Sequence, residues 1–538
     1  MRILVFFLLL LSTASIQAQH KKSIVSWNQN IKGDSLIEAQ EKNWEHLDIE
    51  KDTIPGISLD RVYKELLEKE KRKETIVALI DTEIDINQAE INKILWLNID
   101  EIPNNNIDDD NNGYVDDIHG WNFMGNSEGE NIIIANNEAT RIVRYYQTKA
   151  IAESIEDSIL INNQDYKKAK FIVDKELKSS LSTIKRGKVI IEKYKNAMRL
   201  IGNNYADDML TIEFLDSIKL ARPEITEEIK AIYKWKNIGY DLEILENDFN
   251  SKKNIVDYYY NIHYNERSIQ GDDPENLSDN HYGNNLLTGN LGEFYHGTQI
   301  ASVLKSVVGE NTSIKILPIP SIVNGEIHDK DLALSIYYAV NNGAKIINLS
   351  AGKYFSLHSD WVQEAISYAL DKDVLFVFAA GNSKLNIDIN DNMVYPKRTK
   401  YNSNSIIRVG ASGKYIDNKL ATFFSNYGKQ EVDIFAPGHE LPVLNPYNEH
   451  LINSGTSLST AIVSGVAALI RSYYPSLTAS EVKQILMDSA VKYDILVDVP
   501  TKENPEQQLP FSELSKSGGI VNAYNAMLMA EEYVKKKK

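Results

Sequence analysis

The sequence predicts an α/β fold: a doubly wound, mostly parallel sheet with helices on both faces, plus an inserted helical subdomain. Three observations carry this. From residue 296 onward, short apolar runs alternate with helical patterns at the period of βα units. A run of the same kind, TIVALI, stands far upstream at 75–80. Between them, residues 137–262 are rich in Lys, Glu, Ile and Tyr and hold glycine only at Gly187, Gly202 and Gly239, a texture of helices.

The elements follow in chain order. Arg2, the apolar run Ile3 to Leu11 and the small and polar residues to Ala18-Gln19 have the order of a secretory signal peptide. That run is too short for the ~20 residues a membrane span needs, and no later segment reaches that length. Residues 1–18 are therefore expected to be removed on export to the periplasm, cell surface or medium. Residues 19–74 form a polar N-terminal extension with an amphipathic pattern from Ser58 to Lys71. A main domain covers 75–136 and 263–530, the helical insertion 137–262, and a basic tail 531–538. TIVALI reads as a buried parallel strand ending at Asp81. Within the insertion, Phe171, Leu177, Leu181 and Ile184 fall at helical spacing. Strands are expected at 314–320, 345–350, 374–380 and 405–411. Helices are expected at 329–342 (closed by Gly343), 359–371 and 457–474 (stopped by Pro475).

Composition narrows the function. A chain of 538 residues with 43% apolar content can bury a large core. A formal charge of −17 excludes nucleic acid as a partner, because phosphate binding needs a basic surface. There is no cysteine, so stability must come from packing and from bound metal.

Four segments carry chemistry. ALIDTEID sets Asp81 just past a strand, and HGTQIASVL sets His296 at a helix start with Gly297 allowing close approach. FAAGN sets Asn382 past another strand, and NSGTSLSTAIVSG sets Ser457 at the amino end of a long helix. A serine hydroxyl needs a base, and histidine titrates near neutrality. The histidine needs a carboxylate to hold its tautomer, and an oxyanion needs donors such as an Asn amide and a backbone N–H at a helix start. Asp81 and Asn382 also lie where α/β sheets bind ligands, at carboxyl ends of strands.

In this order the four motifs resemble the subtilisin-like serine peptidases, the subtilases, over roughly residues 75–125 and 285–530. NLSAG (348–352) resembles the family's substrate-binding strand, FFSNYG and VDIFAPG (423–438) a later loop, and SGGIVNAYNAM its last helix. The resemblance implies a secreted endopeptidase acting on polypeptide. Asp81 would orient His296, His296 would be general base and then acid, Ser457 would attack, and Asn382 would stabilise the oxyanion. Ser350, Ala351 and Gly352, with Ala379, Ala380 and Gly381, would line the substrate pocket. Oligomeric state is left open.

The sequence also departs from the family. Glu83 stands where Gly is usual, Gln299 where a second His is usual, and Leu458, Ser459 and Ala461 where Met, Ala and Pro are usual. Glu83 beside Asp81 carries the alternative reading, an inactive subtilase homologue acting as a binding or scaffold protein. An esterase is disfavoured, because no GxSxG elbow surrounds Ser457. The run DDDNNGYVDD (108–117) offers Asp108, Asp110, Asn112, Asp116 and Asp117 around Gly113, a dense set of hard oxygen ligands that predicts structural calcium. The insertion, lying between Asp81 and His296, is expected to regulate access to the cleft.

Overall fold

The computed structural model describes residues 23–28, 42–67, 72–154, 163–202, 205–398, 403–501 and 504–537; the expected signal peptide lies outside the described residues. Among the described residues, twelve strands run in chain order: β1 Thr75–Asp81, β2 Ile314–Pro320, β3 Ile346–Leu349, β4 Leu375–Ala379, β5 Ile406–Ser412, β6 Ile434–Pro437, β7 Leu441–Asn445, β8 Glu449–Asn453, β9 Val491–Lys492, β10 Leu496–Asp498, β11 Gln508–Pro510 and β12 Gly519–Ile520. Eight form one sheet in the order β2-β1-β3-β4-β5-β6-β12-β9, parallel except where β9 pairs with β12. The strands β7 and β8 form a separate hairpin, as do β10 and β11.

The principal helices are α1 Leu59–Glu65, α2 Glu138–Glu153, α3 Gln164–Ile201, α4 Ile212–Ala221, α5 Thr226–Lys236, α6 Leu242–Asn254, α7 His296–Val308, α8 Asp329–Asn341, α9 Ser359–Asp371, α10 Thr456–Tyr473, α11 Ala479–Asp488 and α12 Ala523–Lys537. Side-chain alternation along the strands feeds two cores. Val77, Leu79, Leu375 and Val377 face α7, α10 and α11, while Ala78, Ile80, Phe376 and Phe378 face α8 and α9. The helix α10 is almost wholly buried, and it meets α7 closely enough that a Cβ on Gly465 would lie 2.7 Å from a Val307 methyl. The N-terminal extension is integral in its described part: Trp44, Ile49, Ile54 and Ile57 are buried in the first core. Likewise, the basic tail continues α12 to Lys537.

The insertion is helical, as expected, but its apolar stripe is not the one the spacing suggested. Phe171 and Leu181 are exposed, and α3 instead buries Tyr166, Ala169 and Val173 at one end and Tyr194, Ala197 and Ile201 at the other. With 38 residues, α3 spans roughly 57 Å and serves as a strut between two small cores. The near core, with Ile142 and Val143 of α2, touches Phe355 and Leu357 of the main domain. The far core is closed by Leu215, Ile229, Ile232 and Leu245 of α4 to α6. Gly187 lets α6 come close, since a Cβ there would stand 3.2 Å from the Phe249 ring.

Candidate active site

The strand β1 delivers Asp81 to the sheet's carboxyl edge, where its backbone carbonyl accepts from Ser321 and Ile322 N–H groups. Its carboxylate is fully buried; Oδ1 takes the Thr82 N–H at 2.8 Å and His296 Nδ1 at 2.6 Å, while Oδ2 has no protein partner. The imidazole opens α7 and is one-third exposed. Gly297 is required next to it: a Cβ there would lie 2.4 Å from the Thr82 carbonyl oxygen. Thr82 fixes the approach, its hydroxyl accepting the Gly297 N–H at 2.8 Å. Burial lowers the His296 pKa, but the adjacent Asp81 carboxylate outweighs it and the net shift is upward from 6.5.

Ser457 lies in the first turn of α10, half-exposed. Its Oγ donates to the Ser350 carbonyl at 3.0 Å, and Ser350 Oγ donates back to the Ser457 carbonyl at 3.1 Å. The NLSAG segment is thus hydrogen-bonded directly to the expected nucleophile. Asn382 is exposed past β4, and Thr456 sets its amide orientation: Asn382 Oδ1 accepts the Thr456 N–H at 3.0 Å and hydroxyl at 2.9 Å. Its Nδ2 then points the other way, and a probe Cβ on Gly455 would lie 3.7 Å from that nitrogen and 3.8 Å from Ser457 N. The two nitrogens therefore lie near one point beside Gly455.

Of the expected pocket residues, Gly352 is exposed, Ala351 and Gly381 are half-exposed, and Ser350, Ala379 and Ala380 are buried. Ala380 has both backbone groups occupied, its N–H by Val409 and its carbonyl by Asn426 Nδ2. Gly381 sits at φ +98, and a Cβ there would meet Asn426 Nδ2 at 2.6 Å. Asn426, from the FFSNYG motif, also accepts the Ser383 and Leu385 N–H groups. Thr82, Thr456 and Asn426 were not singled out in the sequence, although each is adjacent to or inside a recognised motif.

Two of the departures, Glu83 and Gln299, face elsewhere. Glu83 turns from Asp81 and accepts the Asn290 N–H at 2.6 Å, Asn290 Nδ2 at 2.9 Å and Asn131 Nδ2 at 3.3 Å. It joins the chain before the insertion to the loop leading into α7. Gln299 holds the β7–β8 hairpin through Asn445 and Asn453. In the acidic loop, Asp108 accepts the N–H groups of Asn112 and Gly113, and Asp116 those of Asn105 and Asn106. Asn112 donates to Asp110 and Asp117. The carboxylates that converge are Asp110, Asp117 and Glu101, with oxygens within 4.8 Å of one another. Burial pushes the Asp117 carboxyl up to about 6.

The Subtilase family model matches residues 72–513. This chain belongs to the subtilase family. Among its relatives, the cell wall-associated protease of Bacillus subtilis is 25% identical over 383 residues, 64% of this subtilase and 41% of that protein. Thermitase of Thermoactinomyces vulgaris is 33% identical over 205 residues, 37% of this chain and 67% of that one. Subtilisin DY of Bacillus licheniformis is 31% identical over 202 residues, 36% and 70% of the respective chains. The subtilase thus aligns with less than half the length of the cell wall-associated protease. Among the described residues, no helix is long and apolar enough to cross a membrane.

Proposed function

We propose that this subtilase is an exported serine endopeptidase that hydrolyses polypeptide through an acyl-enzyme on Ser457. The observation that carries the reading is the 2.6 Å Asp81–His296 bond, and the nearness of Asn382 Nδ2 and Ser457 N to one point beside Gly455 supports it. With Asp81 on Nδ1, the imidazole presents Nε2 as the base. The Ser457 hydroxyl leaves the Ser350 carbonyl and gives its proton to Nε2 as its oxygen adds to the scissile carbonyl. The new oxyanion is received by Asn382 Nδ2 and Ser457 N–H. His296 then returns the proton to the leaving amine, and water repeats the sequence to release the acid. The half-exposed Ala351 and exposed Gly352 support an extended substrate.

A fluorophosphonate applied to the exported fraction tests nucleophile and export together. The expected result is one adduct on Ser457 of a protein beginning near Gln19, with neither labelling nor peptide hydrolysis in Ser457→Ala. The loss on the subtilisin scale is about 10⁶-fold in turnover. Equal labelling of wild type and variant refutes the assignment.

The acidic loop supports calcium as a structural ion. Glu101, Asp110 and Asp117 would hold it, hard oxygens suited to that cation, and the ion would supply charge neutralisation rather than chemistry. Binding to the native state alone adds about 2.7 kcal/mol at a hundredfold excess over Kd. Thermal unfolding is expected to move up with calcium and down with chelator, and Asp117→Asn should lose that response. A midpoint indifferent to both reagents rules the site out.

A further inference from the structure

The insertion enters the main domain through a cluster of buried charges. Glu138 opens α2, with its Oε2 2.7 Å from Arg141 Nη1 and 3.1 Å from Lys353 Nζ. Its Oε1 accepts the Leu357 N–H at 2.8 Å. Lys353 is the residue after Gly352, and its ammonium also meets Asp329 Oδ1 at 2.8 Å and the Ile327 carbonyl at 2.9 Å. Asp329 in turn accepts the Ser356 hydroxyl and, at 2.9 Å, the His358 N–H. The side chains of Glu138, Arg141, Asp329 and Lys353 are each at most 3% exposed. On its far side Arg141 pairs with Glu266, which closes the insertion's exit.

The segment directly after the Ser350–Gly352 edge is therefore gripped by two carboxylates, and one of them belongs to the insertion. Buried ion pairs contribute little net stability, because desolvation offsets their attraction. What they do impose is directional geometry: charge-assisted bonds tolerate less sliding than apolar contacts. Lys353 is also anchored on its backbone, exchanging hydrogen bonds with Tyr395 at 3.2 and 2.8 Å. The ammonium thus ties Glu138 of α2 to the backbone adjoining Gly352.

We infer that Lys353 is a positioning residue: its ammonium, clamped by Glu138, fixes the Ser350–Gly352 edge, so the base of the insertion sets affinity for extended peptide. The inference rests on the reading that this edge binds substrate. It predicts a larger effect on binding than on chemistry: Asp81, His296 and Ser457 lie outside the cluster, and the edge reaches Ser457 through Ser350, at the end away from Lys353.

The test uses the full chain with Lys353→Met, Glu138→Gln, their combination, and Arg144→Gln as control. Arg144 pairs with Glu266 but does not touch Lys353. KM for an extended peptide is expected to rise about tenfold in each of the first two variants and little further in the double, because misplacing a binding edge by a fraction of an ångström suffices. Fluorophosphonate labelling of Ser457 should stay within about twofold, since the small probe does not need the edge. Arg144→Gln should leave KM unchanged. An unchanged KM in Glu138→Gln overturns the inference, as does an equal rise in Arg144→Gln or a parallel loss of labelling. If Lys353→Met does not fold, Glu138→Gln decides, because it keeps an acceptor for Leu357. If even the wild type is not labelled, the peptidase reading fails instead. Hydrogen exchange at 350–357 then still decides: faster exchange in Glu138→Gln supports the joint, and unchanged exchange removes it.

Discussion

Two of the molecule's buried ion systems are built to opposite rules. At the Glu138–Lys353 joint each carboxylate oxygen meets a donor: Glu138 is taken up by Arg141, Lys353 and Leu357, and Asp329 by Lys353, Ser356 and His358. At Asp81, one oxygen carries two bonds and the other has no protein partner. The imidazole it holds is part-exposed, whereas the joint is sealed. A saturated cluster fixes a shape; an unsaturated pair keeps capacity for a charge that appears during reaction. On the proposed function, the contrast is between a cluster that holds the fold and a pair that acts.

Asp81→Asn breaks the acting pair. Without the carboxylate, His296 loses its held tautomer, and turnover is expected to fall about 10⁴-fold with the fold retained. The pH dependence has a definite sign. In the proposed mechanism neutral imidazole is the base, so the rate should rise with pH through a His296 pKa raised above 6.5. Asp81 is what raises that pKa, so the variant's residual rate should turn on at lower pH. Because the folded pKa is raised, the pair's stability contribution is full below the unfolded value and is lost as pH climbs through the folded one. The melting-temperature advantage of wild type over Asp81→Asn should therefore shrink on the alkaline side. A residual profile with an unmoved midpoint denies Asp81 this role.

Asn382→Ala is the next step down. Ser457 N–H remains as a donor, so kcat should drop about 10²–10³-fold with KM nearly constant. A change confined to KM would make Asn382 a binding group rather than an oxyanion donor.

How much of this could be read from the chain depends on sequence distance. Strand β2 and helix α9 fall on their expected boundaries because apolar runs and turn residues are local signals. The four motifs were legible for the same reason: each has its context within ten residues. The approach of Glu101 to Asp110 and Asp117 was not legible, since a folded loop brings the three carboxylates together. The joint was more hidden still. Glu138 and Lys353 lie 215 positions apart (353 − 138), and a Glu opening a charged helical segment and a Lys in a loop both read as solvated surface. The strut α3 misled differently, because its buried face is split between two cores and its middle follows neither.

Glu83 is the sharpest probe of the contrast, because it stands two residues from Asp81 and obeys the opposite rule. Its oxygens accept three N–H donors from Asn290 and Asn131, and none of them belongs to the reacting groups. If saturation marks a holding role, Glu83→Gln should leave kcat/KM within about threefold while lowering stability by about 1–2 kcal/mol, the scale of one mispaired buried hydrogen bond. Gln can keep one acceptor, but its amide then faces donors where a carboxylate oxygen stood. Burial raises the Glu83 pKa above 4.5 against those donors, so the native state holds its proton more readily than the unfolded chain. Wild type consequently loses stability as pH rises through that window, and its melting-temperature lead over Glu83→Gln should narrow from acid toward neutral pH. A loss of turnover comparable to that of Asp81→Asn, with melting unchanged, would move Glu83 to the acting side and erase the distinction between the two carboxylates.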